Sequence, residues 1–407
     1  MAIVETPVRL PIPPLPQGFR AAGTHAGLKR NPTREDIALI VSDVPATGAG
    51  VYTTNLVFAA PVALDRDRTP GEGFRVVVVN SGNANACTGR RGLDDARAMA
   101  AAAAEAVGAP ETAALVLSTG IIGEFLPLDK IRAGVRTVAA QLGNDADSAV
   151  RAARGMMTTD TRPKLSGSSF TVDGRPYTLF GMAKGAAMIG PRMATMLGVI
   201  LTDAPVAAAD AQRLLREATE ETFNCVSVDG HTSTNDTVLL LANGAAGGST
   251  LSGAGLAAFA RALHDACEAL AREIADDGEG ATHVLRIEVR GCRTRDEARQ
   301  IARSVADSPL VKTAVCGADP NWGRIVSAAG YAGVSFAPEK LVLRLNGTLL
   351  FREGAPVPFD GAAVSASIRD ARETLIELDF HGGEAGIRFY SSDLTAEYVR
   401  LNADYHT

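Results

Sequence analysis

One threonine stands where the chain could generate a catalytic nucleophile from its own backbone. The segment Met193-Ala194-Thr195-Met196 places Thr195 between a Gly/Pro loop and an apolar strand pattern. A threonine hydroxyl is a weak nucleophile at its ordinary pKa, and a free N-terminal amine is one known base that activates it. An α-amino group has a pKa of roughly 7.7–8.0 and therefore accepts a proton near neutral pH. An internal threonine gains this amine only when the bond before it is cut.

Two features beside Thr195 are compatible with such a self-cleavage. Gly190-Pro191 can form a tight turn just upstream, and the small Ala194 leaves room for the hydroxyl to approach the preceding carbonyl. Taken alone, the segment favours the plainer interpretation that Thr195 only begins a strand. The cleavage hypothesis therefore depends on the rest of the chain.

The elements around this threonine alternate between strands and helices. Apolar runs predict buried strands that end in small polar residues, notably residues 75–80 before the loop SGNANACTGRRG and residues 113–117 before Ser118-Thr119-Gly120. Further patterns predict helices at 93–107, 210–222 and 255–275, strands at 196–202 and 237–241, a hairpin over 166–180 with a turn at Asp173-Gly174, and strand, helix, strand over 283–315. This alternation indicates an α/β protein.

Composition limits the classes of function. The chain has 407 residues, 46% of them hydrophobic and 21% charged, which is typical of a globular enzyme with a large core. Its net charge is −6 without a basic run, which disfavours nucleic acid as a partner. The N-terminal segment lacks the pattern of a secretion signal, and the alanine-rich run at 96–107 is too short to cross a bilayer. We therefore expect a cytoplasmic protein with no membrane segment.

Metal chemistry has no support in the sequence. The five cysteines, Cys87, Cys225, Cys267, Cys292 and Cys316, form no CxxC pair and are odd in number. The six histidines are scattered and show no HExxH spacing. We expect free thiols, no metal and no cofactor.

Several segments of the chain together resemble one known family, the ornithine acetyltransferases (glutamate N-acetyltransferases) of arginine biosynthesis. The resemblance covers essentially the whole chain through collinear blocks: GFRAAGTHAGLK, VVNSGNANACTG, STGIIGE, MMTTDT, MAKGAAMIGPRMATML, SVDGHTSTNDTVLLLANG, GADPNWGRI and YVRLNADYHT. One block alone could arise by chance. Their shared order and spacing identify the chain as a member of this family.

The resemblance implies a self-cleaving enzyme with a threonine nucleophile. The family's cleavage point matches Ala194-Thr195, which would give an alpha chain of residues 1–194 and a beta chain that begins at residue 195. The freed amine of Thr195 would act as the base while Oγ attacks an N-acetyl group, giving an acetyl-threonine intermediate. The implied reaction transfers acetyl from N2-acetyl-L-ornithine to L-glutamate. Whether acetyl-CoA also serves as a donor is left open.

The resemblance also assigns roles to residues far from Thr195. Thr119 and Gly120 match the family's oxyanion-stabilising pair. Lys184 matches a substrate-binding lysine that could hold the α-carboxylate, and Glu279 matches a residue that could pair with the ornithine ammonium. The remaining substrate-binding positions are Thr158, Thr195, Asn402 and Thr407.

The resemblance implies a fold and an assembly as well. We expect sheets sandwiched between helices, with a main catalytic domain at 1–281 and a smaller C-terminal α/β domain at 282–407 whose tail returns to the site. The change of composition near Gly278-Glu279-Gly280 agrees with that boundary. Two cleaved protomers are expected to associate as a heterotetramer of two alpha and two beta chains.

Departures from the family pattern concern the segment before the nucleophile. Many members read KGSGMI and PNMATM, whereas this chain has Ala186-Ala187 and Arg192 at the corresponding places. A large cation three residues before the nucleophile puts the efficiency of self-cleavage in doubt. The polar segments 227–236 and 318–324 are assigned no direct role in the site.

Two alternative functions remain open at this point. A self-processed aminopeptidase or amidase of related fold would use water as the acceptor, but Lys184, Glu279 and the C-terminal block favour the transferase. A small-molecule binding protein that never cleaves would retain one full-length chain, but intact Thr195, Thr119 and Gly120 argue against it.

Overall fold

The protein is described by a computed structural model that covers residues 13–190 and 196–404. Its secondary structure forms two mixed β-sheets with helices packed against them. The predicted α/β class is therefore confirmed. Among the helices of these residues, none combines the length and the apolar character that crossing a bilayer requires.

The larger sheet has eight strands in the order β4-β3-β2-β9-β7-β6-β5, with β1 paired to β2. These strands are β1 (Phe19–Thr24), β2 (Ile37–Tyr52), β3 (Gly71–Asn83), β4 (Ala114–Ile121), β5 (Lys164–Val172), β6 (Arg175–Lys184), β7 (Leu197–Thr202) and β9 (Thr237–Ala242). Two pairs are parallel, β3 with β4 and β7 with β9, and the other pairs are antiparallel. Parallel pairing matters for the site because it brings equivalent strand ends together.

Helices cover both faces of the larger sheet. They are α1 (Ala60–Arg68), α2 (Gly89–Ala106), α3 (Leu128–Ala139), α4 (Ala146–Met156), α5 (Ala208–Glu221) and α6 (Gly253–Asp276). Successive residues of β7 point to opposite faces, so Ile200 packs with the core of α5 and α6 while Val199 and Leu201 pack with the core of α4. This burial on both faces explains why β7 is an uninterrupted apolar run.

The smaller sheet has seven strands in the order β13-β12-β11-β14-β10-β15-β8. Its strands are β8 (Val226–Ser227), β10 (Val284–Cys292), β11 (Val342–Leu345), β12 (Thr348–Arg352), β13 (Ala355–Pro356), β14 (Glu373–Asp379) and β15 (Ala385–Ser392), and the later helices are α7 (Arg295–Ala306), α8 (Pro309–Cys316), α9 (Trp322–Gly330), α10 (Gly361–Arg369) and α11 (Ala396–Asp404). One face packs against α7, α8, α9 and α10 around Ile287, Ile301 and Ile376. The division at residues 281 and 282 stays a prediction.

Most of the predicted elements are confirmed, and one is wrong. The hairpin of β5 and β6 turns at Asp173 and Gly174, whose φ angles of 50° and 77° suit a tight hairpin turn. The strand predicted to end near residue 315 is instead the helix α8. The Ser308 side chain caps this helix by accepting a hydrogen bond from the Val311 N–H, and Pro309 occupies its first turn.

Candidate active site

The predicted oxyanion residues lie at the end of a parallel strand pair. In the β3–β4 register, Ser81 is opposite Thr119 and Gly82 is opposite Gly120. Gly120 has a φ of 130°, and a Cβ there would lie 2.3 Å from the carbonyl carbon of Gly82. Only glycine therefore fits without moving the neighbouring strand. Thr119 is buried beside it, so the two residues share one closely packed strand end.

Lys184 ends β6 and meets this strand end. Its Nζ lies 3.4 Å from the Thr119 Oγ1, and its side chain is buried. Burial is the main cause that lowers the pKa of Lys184, whereas the carboxylates of Asp160 and Asp236 act in the opposite direction. A negatively charged ligand group would complete the set of charges around this ammonium. The position of Lys184 thus suits a carboxylate-binding residue, and that role stays a prediction.

A buried aspartate that the sequence analysis did not single out joins Thr158 to the Lys184 segment. Asp160 Oδ2 accepts a hydrogen bond from the Thr158 N–H (3.0 Å), and Oδ1 accepts one from the Gly185 N–H (2.6 Å). Lys164 Nζ donates to the same Oδ1 at 2.7 Å and to Asp277 at 2.5 Å. The structure therefore brings Thr158 and Lys184 together through Asp160.

Glu279 and Asn402 are in direct contact, although they are far apart in the sequence. Asn402 lies in α11, and its Nδ2 donates to Glu279 Oε2 at 2.8 Å. The Glu279 N–H donates to the carbonyl of Ala186 at 2.9 Å, two residues after Lys184. Helix α11 thus contacts Glu279 through Asn402, and the return of the tail to the site stays a prediction. Thr407 lies outside the described residues.

A half-buried aspartate fixes the loop that leads toward the predicted cleavage point. Asp229 accepts hydrogen bonds from the backbone N–H groups of Met188 (2.6 Å) and Ile189 (2.9 Å). Tyr398 of α11 donates its hydroxyl proton to the same carboxylate at 3.3 Å. Burial is the main cause that raises the pKa of Asp229. This contact ties helix α11 to the loop just before Gly190.

The predicted cleavage point lies between the two described ranges. Arg192, Ala194 and Thr195 are outside the described residues, whereas Met196 is described and precedes β7. The Met196 N–H donates to Asp236 Oδ1 at 3.2 Å, and the Met196 carbonyl accepts from the Thr237 N–H at 3.1 Å. Both backbone groups of Met196, the residue immediately after Thr195, are therefore hydrogen-bonded.

Three carboxylates, Asp160, Asp229 and Asp236, organise the site and were missed by the reasoning from sequence. Each lies inside a block that carries the family resemblance, which was the only available signal. The burial of Asp160 and Asp236 depends on the packing of distant strands and helices and is not visible in local residue patterns. Within the described ranges, no group of His, Cys, Asp and Glu side chains is arranged to hold a metal ion.

Comparisons with known proteins point to one family. The model of the ArgJ family matches residues 20–407. A curated arginine biosynthesis bifunctional protein ArgJ from Symbiobacterium thermophilum is 48% identical, over 96% of this chain and 98% of its own. A solved ArgJ structure from Bacillus halodurans is 40% identical over 50% of this chain and 96% of that chain (TM-score 0.49). The Mycobacterium tuberculosis ornithine acetyltransferase complexed with ornithine is 35% identical over 45% and 96% (TM-score 0.39).

Proposed function

Since the chain belongs to the ArgJ family and is therefore an acetyltransferase of arginine biosynthesis, we propose that it moves acetyl from N2-acetyl-L-ornithine to L-glutamate through Thr195. One observation carries the proposal. Lys184, predicted to bind substrate, contacts Thr119, predicted to stabilise the oxyanion, although the two lie on different strands. A substrate-binding residue that lies within hydrogen-bond distance of an oxyanion-stabilising residue is what a single acyl-transfer site requires.

The reaction begins with the cut between Ala194 and Thr195. The freed α-amine of Thr195 then accepts the hydroxyl proton while Oγ attacks the acetyl carbonyl carbon of N-acetylornithine. The C–N bond of the substrate breaks, its nitrogen takes the proton from the amine, and ornithine leaves. Acetyl remains on Oγ as an ester of Thr195.

Glutamate completes the cycle in the reverse sense. Its amino nitrogen attacks the ester carbonyl, the Thr195 amine takes a proton from that nitrogen, and the C–Oγ bond breaks as Oγ regains the proton. Both half-reactions pass through a tetrahedral oxyanion at the same place. Thr119 and Gly120 are the residues we assign to its stabilisation, since they lie beside Lys184 at the end of β4.

The charges of the site fit two amino-acid substrates. We assign the α-carboxylate of either substrate to the buried Lys184, because a buried ammonium favours a negative partner. Glu279 supplies a negative charge that suits the side-chain ammonium of ornithine, and Asn402 orients its carboxylate. Thr158 lines the same region through Asp160. The final residue, Thr407, stays a predicted contact.

A second acetyl donor, the assembly of the protein and its location are also part of the hypothesis. The relatives are described as bifunctional, and we propose acetyl-CoA as a second acetyl donor for this chain. The heterotetramer of two alpha and two beta chains and the cytoplasmic location stay predictions. The alternative of an aminopeptidase or amidase differs in its acceptor, since water would then attack the acetyl ester.

An exchange experiment tests the proposal. Isotopically labelled ornithine is incubated with the purified enzyme and unlabelled N-acetylornithine, without glutamate. An acetyl-enzyme predicts that label appears in N-acetylornithine, because ornithine re-enters after the first half-reaction, and the Thr195→Ala variant should show no exchange. Acetyl transfer to glutamate without any such exchange would contradict the covalent intermediate. Release of free acetate as the main product would favour the hydrolase alternative.

A further inference from the structure

The cut before Thr195 needs a base that the mature enzyme does not need. In the mature enzyme the free amine of Thr195 takes the hydroxyl proton, but in the uncut chain that nitrogen belongs to a peptide bond and cannot accept one. Another group must take the proton during self-cleavage. This question rests on the proposed function, since it concerns how the proposed nucleophile is released.

Asp236 has the position that this task requires. It immediately precedes β9, which runs parallel to β7 with Thr237 opposite Leu197. Its Oδ1 accepts the hydrogen bond from the Met196 N–H at 3.2 Å. That nitrogen is bonded to the carbonyl carbon of Thr195. The Asp236 carboxyl group thus binds the peptide link that Thr195 itself forms with the next residue.

The second oxygen of Asp236 is available for chemistry. The side chain is completely buried, and Oδ2 has no hydrogen-bond partner among the described residues. The hydroxyl of the nearby Thr53 donates its proton to the Ser233 carbonyl (2.7 Å). Burying a carboxylate oxygen without a partner is costly, so such a group calls for a functional explanation. A proton exchanged with a reacting hydroxyl provides one.

The residue beside Asp236 connects the same loop to the predicted oxyanion strand. Asn235 Nδ2 donates to the carbonyl of Ser118 at 2.8 Å and to that of Ala84 at 2.7 Å. Ser118 directly precedes Thr119 and Gly120. Asn235 therefore contacts the strand end that carries the predicted oxyanion residues. Its neighbour Asp236 contacts Met196, the residue that follows the nucleophile.

We propose that Asp236 takes the hydroxyl proton of Thr195 during self-cleavage and delivers it to the leaving nitrogen. Oγ attacks the carbonyl carbon of Ala194 as its proton passes to Asp236 Oδ2. The C–N bond then breaks, the Thr195 nitrogen receives that proton, and Ala194 is left as an ester on Oγ. Water hydrolyses the ester, which gives the carboxylate of Ala194 and the free hydroxyl and amine of Thr195.

The electrostatics of the buried carboxyl group support this assignment. Burial is the main cause that raises the pKa of Asp236 well above its usual range. The Met196 N–H, the nearby Thr53 hydroxyl, the charge of Lys184 and the Ser233 N–H act to lower that pKa. A carboxylate whose pKa is raised is a stronger base than an exposed one. Lys184 is a buried titratable group whose charge acts on Asp236, and it is the competing candidate for the same role.

The test compares two substitutions of Asp236 with a matched control. In Asp236→Asn, the amide oxygen can still accept from Met196, but no ionisable oxygen remains, whereas Asp236→Ala loses both functions. The control is Asp203→Asn at the other end of β7, where the buried Asp203 accepts the N–H groups of Thr178 (2.8 Å) and Gln17 (3.0 Å). Each full-length chain is made by pulse-labelled cell-free translation, and its conversion to two fragments is followed by gel and intact mass.

The expected result is selective for Asp236. Asp236→Asn should keep the melting temperature near that of the uncut Thr195→Ala chain but cut about 100- to 10,000-fold more slowly than wild type. Asp203→Asn should cut at the wild-type rate. Hydroxylamine, which releases esters, should not rescue Asp236→Asn, because the ester would not form. Normal cutting of Asp236→Asn, or its rescue by hydroxylamine, would overturn the proposal and leave Lys184 as the remaining candidate.

A measurement on the wild-type chain keeps the proposal falsifiable if the Asp236 variants fail to fold. The initial rate of its self-cleavage should rise with pH through one deprotonation whose midpoint lies above the usual range of an aspartate. A rate that does not change between about pH 4 and 9 would also overturn the proposal. These failures are distinguishable from failure of the proposed function, because a fragment that begins at Thr195 and carries acetyl would still establish the latter.

Discussion

Replacing Asp160 by asparagine tests whether the buried ion-pair network supports the site. Asp160 Oδ1 accepts hydrogen bonds from Lys164 Nζ and the Gly185 N–H, and Oδ2 accepts one from the Thr158 N–H. An asparagine can present its single oxygen to only one side, so its NH2 group would face another donor. The substitution also removes the negative charge that compensates two buried lysines, Lys164 and Lys184.

The magnitude follows from what remains after the substitution. Breaking a buried pair by removing one partner costs roughly 3–5 kcal/mol. Asp277 still binds Lys164 at 2.5 Å in the variant, so part of the charge compensation survives. We therefore expect Asp160→Asn to lower the free energy of unfolding by about 3 kcal/mol at neutral pH, the lower end of that range.

The effect should depend on pH in a defined direction. Burial acts to raise the pKa of Asp160, but the ammonium groups of Lys164 and Lys184 and the hydrogen bonds outweigh it and hold that pKa well below its usual range. An unfolded aspartate has a pKa of about 3.9. The stabilising contribution is therefore complete above about pH 4 and is lost as the pH falls toward the pKa of the folded state. The difference between wild type and variant should shrink accordingly in acid.

The assay is urea unfolding followed by circular dichroism, with all chains carrying Thr195→Ala so that one uncut polypeptide unfolds. Asp210→Asn is the control, because the partly exposed Asp210 pairs with the exposed Arg213 (2.9 Å) and should change the midpoint little. An unchanged midpoint for Asp160→Asn at pH 7 would refute the reasoning. So would a difference from wild type that grows as the solution is acidified.

Three further predictions concern the site itself. Gly120→Ala places a methyl group 2.3 Å from the Gly82 carbonyl carbon, so kcat should fall about 100- to 1000-fold, as for a lost oxyanion donor. Steady-state kinetics on the cleaved protein measures this fall, and a normal kcat would contradict the prediction. Glu279→Gln should raise KM for N-acetylornithine about tenfold, because the charged partner of the ornithine side-chain ammonium is lost. KM for glutamate should stay unchanged or fall, and equal increases in both KM values would contradict the assignment. Tyr398→Phe removes the hydrogen bond to Asp229, so hydrogen exchange of the Met188 and Ile189 amides should become faster, whereas unchanged exchange would show that α11 does not restrain this loop.

Strands β3, β4, β7 and β9 of the larger sheet were predictable because they contain apolar runs buried on both faces, and the β5–β6 hairpin was predictable because it has a defined turn. The apolar runs at 76–79 and 196–201, and Asp173-Gly174 between alternating segments, are local signals. The order of the strands and the second sheet were not predictable, because β8 pairs with β15 across more than 160 residues of sequence. The apolar segment after Pro309 suits a strand or a helix equally, and its cap decides for the helix.

Candidate site residues could be named from the sequence where a motif carries a reactive or charged residue. Thr119, Lys184, Glu279 and Asn402 came from the family resemblance, and the structure brings Thr119 to Lys184 and Glu279 to Asn402. The carboxylates that position them could not be recognised, since an aspartate in a polar loop usually faces solvent. Asp236, for example, becomes exceptional only through its complete burial beneath distant strands.

The central claim is that Thr195 is released by self-cleavage and then carries the acetyl group. Intact mass spectrometry of the purified protein, with and without N-acetylornithine, tests it most directly. We predict two fragments that separate between Ala194 and Thr195, with one acetyl group added to the fragment that begins at Thr195. A single uncut chain that gains no acetyl group, or an acetyl group on another residue, would contradict the account.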